Sequence, residues 1–143
     1  MTAPQQTDEN IAAQERIRAA GLRPTRQRVA LAHLLFDHGQ RHLTAETLHG
    51  EATAEGISVS LATIYNTLHQ FVRVGLLREV TIEPGRSYFD TNVSDHHHFF
   101  HEGRGELEDI AALSVDLSDL PKPPAGTEIN RIDVVVRVRD RRT

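Results

Sequence analysis

Three consecutive histidines, His96, His97 and His98, stand between the carboxylates Asp90 and Asp95 on one side and the aromatic pair Phe99-Phe100 on the other. Imidazole is the commonest protein metal ligand and the side chain that titrates nearest neutral pH. In an extended segment neighbouring side chains point to opposite faces, which puts His96 and His98 on one face and His97 on the other. Two nitrogens on one face can help close a metal site or give haem iron an axial ligand. The competing reading is a solvated polar turn. A purification tag is disfavoured, because the run is internal, short and close to the strand-like Ser87-Tyr88-Phe89-Asp90.

The rest of the chain bounds what such a cluster can serve. Its 143 residues allow one domain or two small ones with a modest core. A hydrophobic content of 38% with few aromatics is that of an ordinary globular chain. There is no cysteine, which removes disulfides, Cys-based zinc sites and thiol catalysis together. Residues 1–10 carry neither a basic start nor an apolar run, and no segment reaches the length of a membrane span. A cytoplasmic protein without membrane contact is the expectation. The net charge of −4 does not advertise nucleic-acid binding, but its distribution matters more than its sum. Arg16, Arg18, Arg23, Arg26 and Arg28 precede Asp37, Glu46, Glu51 and Glu55. This basic stretch suits phosphate contacts and equally suits a solvated helix face.

Four helices are expected ahead of the histidines. Residues 7–20 carry acids early and arginines late, and Gly21 follows as a stop. Thr25 caps a helix running to about residue 37, Thr44 caps one over 44–55, and Ser60 starts one over 60–74 that Gly75 ends. Beyond Gly75 the period becomes alternating. Strands over 76–82 and 86–90 join through Glu83-Pro84-Gly85, which predicts a winged helix-turn-helix whose last helix enters the major groove. In the second half, 97–101 and 105–110 read as short strands, 121–126 as a rigid Pro-rich connector and 128–138 as a β-branched strand. About 50 residues of strands with open edges rarely stand alone, so a symmetric dimer is expected.

Several stretches now converge. Gly21-Leu-Arg-Pro-Thr-Arg-Gln-Arg28, His42-Leu-Thr-Ala-Glu46, Ser60-Leu-Ala-Thr-Ile-Tyr-Asn-Thr-Leu68, Gly75-Leu-Leu77 and the histidine run occur in this order. Over residues 11–138 the chain resembles the ferric uptake regulator family. Within it, it looks most like the iron response regulator (Irr) branch, where His-His-His-aromatic-aromatic replaces the usual His/Asp pattern. The resemblance implies an α+β fold. Residues 1–90 would form a winged-helix DNA-binding domain, and 91–143 a small α/β dimerisation and ligand-sensing domain.

The resemblance also implies roles. Tyr65 would meet a thymine methyl or a phosphate from the recognition helix, with core packing as its alternative. Arg23 would reach toward the minor groove, and Ser60 and Thr63 would contact phosphate or bases from the helix start. Asn66 stands where many relatives carry a basic residue, and asparagine reads adenine, so an altered operator is implied. A regulatory metal site carries over onto His42, Asp90, His96 and His98, with His42 at the opening of the third helix, and would bridge the two domains. Iron, manganese and zinc all suit its N/O set. A second family site transfers poorly: Asp95, His97 and Asp116 are candidates, but Ile132 stands where a further histidine is needed.

In the Irr branch the implied effector is haem, with His96, His97 and His98 as its ligands, since no Cys-Pro haem motif exists here. Phe99 and Phe100 could stack on the porphyrin or simply fill a core. The expected function is therefore a haem- or iron-responsive regulator, mainly a repressor. It would bind operator DNA as a dimer when haem or iron is scarce and be released by haem. The alternative within the family is a divalent-metal co-repressor. A metal-dependent hydrolase is disfavoured, because the chain has no His-Glu-x-x-His pair, nucleophile elbow or Gly-rich phosphate loop. A metal-storage protein would leave the recognition helix and wing without a purpose.

Overall fold

Capping chemistry places the helices. In the computed structural model, which describes residues 4–111 and 117–142, Thr25, Thr44 and Ser60 lie in extended backbone. Their hydroxyl oxygens accept the amides of Arg28, Thr47 and Thr63, satisfying donors that a helix start leaves orphaned. The elements that follow are α2 (Arg26–Phe36), α3 (Ala45–Ala54) and α4 (Leu61–Arg73), preceded by α1 (Pro4–Ala19). α1 begins three residues earlier than the acidic run suggested, with proline in its first turn, where a missing N–H costs nothing. Gly56 and Gly75 close α3 and α4 at φ +74° and +81°. The amides of Ile57 and Leu76 then bond back to the carbonyls of Ala52 and Phe71, a Schellman closure.

The chain separates into two compact units, Met1–Val93 and Ser94–Thr143. In the first, α4 is followed by the hairpin β2 (Arg78–Glu83) and β3 (Arg86–Asp90), and a two-residue strand β1 (His42–Leu43) joins its other edge. The antiparallel order is β1-β3-β2, with His42 opposite Asp90 and Leu43 opposite Phe89. Helices followed by this sheet make the winged helix that the periodicities predicted. Leu31, Leu35, Leu48, Ile64, Leu68, Phe71 and Phe89 are wholly buried between helices and wing. α1 docks on α2 through Ala13, Ile17 and Ala32. Arg41 braces this unit: its guanidinium makes a paired contact with Glu51 at 2.9 and 2.6 Å and donates to the Leu34 carbonyl at 3.0 Å.

The second unit is a sheet in the order β5-β4-β6, made of β4 (His97–His101), β5 (Glu106–Ile110) and β6 (Val135–Val138). β4 and β5 are antiparallel, whereas β4 and β6 are parallel. The 3-10 turn Leu117–Asp119 is its one helical piece among the described residues, and Asp116 lies outside them. One expectation is corrected here. The β-branched run predicted a strand over 128–138, but only Val135–Val138 pairs. Ladder hydrogen bonds need a partner, and among the described residues β6 pairs with the His98–His101 stretch of β4. Ile129 and Val136 remain exposed.

Candidate metal centre and nucleic-acid interface

Strand alternation sorts the three histidines as expected. His98 shares a face of β4 with Phe100, and across the ladder these meet Asp109 and Leu107 of β5. His98 is 4% exposed, and its Nε2 lies 3.4 Å from Asp109 Oδ1. His96, just before the strand, brings its Nε2 to 3.3 Å from the same oxygen, with its ring edge-on to His98 at 4.5 Å. Its Nδ1 donates to the Ser94 carbonyl at 2.7 Å, which leaves the lone pair on the Nε2 that faces Asp109. One ligand atom from each of His96, His98 and Asp109 falls within 4.8 Å of the others.

His97 does not join them. It lies on the opposite face, where its Nδ1 accepts the Val134 amide at 3.0 Å. An accepting Nδ1 puts the ring proton on Nε2, so His97 is held as a hydrogen-bonding side chain rather than as a ligand. The three-histidine ligand set expected for haem is therefore not assembled. His97 instead borders a cavity of about 440 Å³ lined also by Asp95, Leu120, Ile129, Arg131 and Ile132.

In the first unit the β1–β3 register sets His42 opposite Asp90, the latter 1% exposed, with His42 Nε2 3.6 Å from Asp90 Oδ2. His42 opens the third-helix region as the first residue of β1, the strand directly before the α3 cap Thr44. Asp90 Oδ1 accepts the Asn92 amide at 2.8 Å. Arg41 and Thr91 clasp the same spot, the Arg41 amide donating to Thr91 Oγ1 and the Thr91 amide to the Arg41 carbonyl.

The 3.3 and 3.4 Å separations at Asp109 are long for N–H···O bonds but suit atoms sharing a cation, while the 3.6 Å between His42 and Asp90 is slightly wider. Two donors each about 2.1 Å from one ion, at tetrahedral or octahedral angles, lie roughly 3.0–3.4 Å apart. Borderline imidazole nitrogen with hard carboxylate oxygen fits iron, manganese or zinc. Asp109 was missed in the sequence, although alternation carried the signal. Once 97–101 and 105–110 pair as a hairpin, the residue two beyond Leu107 must face the one two before Phe100.

The residues expected to touch DNA lie in the first unit. Arg23 is exposed in the loop before α2, and its carbonyl accepts Arg28 Nη1 at 2.7 Å while Arg28 Nη2 holds Gln70 of α4 at 2.9 Å. Arg28 thus ties the Arg23 loop to α4, a role its sequence position did not show. Ser60 and Thr63 are joined to each other, Ser60 Oγ donating to Thr63 Oγ1 at 2.9 Å, so part of their work is capping. Asn66 is exposed and shares a helical stripe with Ala62, His69 and Arg73. Tyr65 is half-buried against the core cluster, and its hydroxyl donates to Glu46 Oε1 at 2.7 Å.

A sequence model of the ferric uptake regulator family matches residues 19–130. The chain belongs to the ferric uptake regulator family. It is 36% identical over 104 residues to the peroxide-responsive repressor PerR of Staphylococcus aureus, covering 72% of this chain and 67% of that one. The ferric uptake regulator of Pseudomonas aeruginosa, solved with manganese, superposes with a TM-score of 0.67 at 26% identity, covering 91% of this chain and 98% of that one. The Vibrio cholerae ferric uptake regulator shares the fold at a TM-score of 0.70 and 21% identity, covering 89% and 98%. Family membership makes the chain a transcription regulator by kinship. Among the described residues no helix is long and apolar enough to cross a membrane.

Proposed function

We propose that this protein is a metal-responsive transcriptional regulator that binds operator DNA as a homodimer. His96, His98 and Asp109 hold a divalent cation, iron, manganese or zinc, and His42 and Asp90 are the further ligands that the family resemblance implies. The observation that carries this reading is the convergence of His96 Nε2 and His98 Nε2 on Asp109 Oδ1 at ligand spacing. The His42–Asp90 pair supplies donors of the same kind from the winged-helix unit. When bound, such a cation would neutralise the carboxylates that face it. Occupancy then biases how the winged helix is presented to DNA. His96 keeps its Nε2 lone pair toward the site through Ser94, and Arg41 with Thr91 holds the His42–Asp90 ladder in register.

On the DNA side, α4 is the recognition helix. Asn66 and Tyr65 read base edges, Ser60 and Thr63 hold phosphate from its first turn, and Arg23 enters the minor groove. Residues 1–93 act as the DNA-binding domain and 94–143 as the dimerisation and sensing domain. The edge strand β6, with Val136 exposed, offers a surface for the second copy. Such a regulator works in the cytoplasm, where its operator is.

A haem-responsive regulator of the Irr type is the second reading. What supports it is the cavity beside His97, with apolar walls from Leu120, Ile129 and Ile132 and a guanidinium from Arg131 of the kind that seats a propionate. Ligation by His97 requires it to give up the Val134 amide. One experiment separates the two: operator binding by metal-stripped, manganese-loaded and haem-loaded protein at one fixed salt concentration. Binding gained with manganese and indifferent to haem supports the first reading. Tight binding of stripped protein, lost on adding haem, supports the second.

A further inference from the structure

Away from the metal ligands, one contact joins the two helices of the recognition motif. Glu46 is an exposed acid in the first turn of α3, and Tyr65 is the fifth residue of α4. The 2.7 Å bond from Tyr65 to Glu46 Oε1 crosses nineteen residues of sequence. It is a charge-assisted bond of the stronger kind. The Tyr65 hydroxyl holds the Glu46 carboxyl below its ordinary range, and Glu46 in turn pushes the Tyr65 phenol up. The phenol ring also lies near the His69 ring, with centroids 6.2 Å apart. His69 Nε2 itself lies 3.6 Å from Glu79 of the wing.

A tyrosine has two side-chain torsions, and a bond to its hydroxyl restrains the outer end of the ring. Pinning the hydroxyl fixes the plane in which the ring edge meets a base. An ionised carboxylate beside a DNA-reading helix also repels phosphate, a cost that falls on every sequence alike. A group that orients a base contact while opposing sequence-blind attraction raises the ratio of specific to non-specific binding.

We infer that Glu46 is a positioning residue for base readout, setting the orientation of Tyr65 and so the specificity of α4. The inference rests on α4 being the recognition helix. Glu46 contacts Tyr65 rather than DNA, and its contribution is to discrimination more than to affinity.

The test uses full-length manganese-loaded protein and a duplex selected by the wild type from a random-sequence pool. A scrambled duplex of equal composition serves as the non-specific probe, at one salt concentration. Glu46→Ala should lower the selected-to-scrambled affinity ratio about tenfold, the scale of one misread base pair. Glu46→Gln keeps an acceptor oxygen without the charge. It should restore most of the ratio while binding both duplexes more tightly. Tyr65→Phe combined with Glu46→Ala should discriminate no worse than Glu46→Ala alone, because both remove one bond. Manganese affinity of the Glu46 variants should match the wild type. A wild-type ratio in Glu46→Ala, or losses from Glu46→Ala and Tyr65→Phe that simply add, would overturn the inference while leaving the recognition helix in place. Failure of the wild type to enrich any duplex would instead remove the recognition reading on which the inference stands.

Discussion

Asp109 Oδ1 stands 3.4 Å from His98 Nε2, directly across the β4–β5 ladder. Backbone pairing, not side-chain flexibility, sets that distance. A ligand pair fixed by strand register costs little ordering when a cation arrives. Asp109→Ala should therefore weaken manganese binding by roughly 100-fold, as should His98→Ala, a loss at least as large as that for supporting groups. Competition against a chelator of known affinity measures it, with circular dichroism reporting an intact fold. Unchanged affinity in both variants would put the ion elsewhere.

His97 should behave differently. His97→Ala removes the acceptor for the Val134 amide, so it should lower the unfolding free energy by about 1 kcal/mol while leaving manganese affinity within about twofold. A loss of metal binding as large as that of His98→Ala would restore His97 to the ligand set.

Arg41→Ala should destabilise the winged-helix unit by about 2 kcal/mol, since Glu51 and the Leu34 carbonyl both lose a donor in a half-buried place. Urea denaturation of the metal-stripped protein would show it as a lower midpoint at constant slope.

The Glu46–Tyr65 bond has a defined pH window. Glu46 is held low, so its contribution is present above the unfolded carboxylate range and is lost as acid titrates the folded group. Tyr65 is pushed up, so its contribution is present below the unfolded phenol range and is lost as alkali titrates the folded group. The bond itself is open to solvent although the Tyr65 ring is half-buried, and screening keeps its worth to about 0.5 kcal/mol. The difference in unfolding free energy between wild type and Tyr65→Phe should be flat near neutrality and shrink at both extremes. A difference independent of pH would mean that ring packing, not the bond, sets it.

Dimerisation through β6 predicts that Val136→Asp, a charge on an exposed edge, should raise the dimer dissociation constant at least about tenfold. Light scattering across a dilution series reads this. An unaltered dimer would place the interface on another face.

Local chemistry made much of this legible in advance. Thr25, Thr44 and Ser60 announced their helices because capping involves only a few neighbouring residues, and the same-face relation of His96 and His98 followed from strand alternation alone. What depends on partners distant in sequence was not visible. His42 read as the approach to α3 because a two-residue strand has no periodicity of its own, and only pairing with Asp90 makes it one. Asp109 was hidden until β5 met β4. The run over 128–138 has strand propensity throughout, yet its pairing ends where β4 does. Propensity proposes a strand; a neighbour must accept it.

The shortness of β1 carries a consequence for timing. Two residues, clasped by Arg41 and Thr91, are the thinnest joint in the first sheet, and thin joints open most often by local fraying. A cation held by His42 and Asp90 would restrain that joint. Amide exchange at residues 41–43 and 89–91 is therefore where loaded and stripped protein should first diverge, well ahead of the helices around Phe71. In this chain the arrival of metal would register as a slowed opening of one small seam.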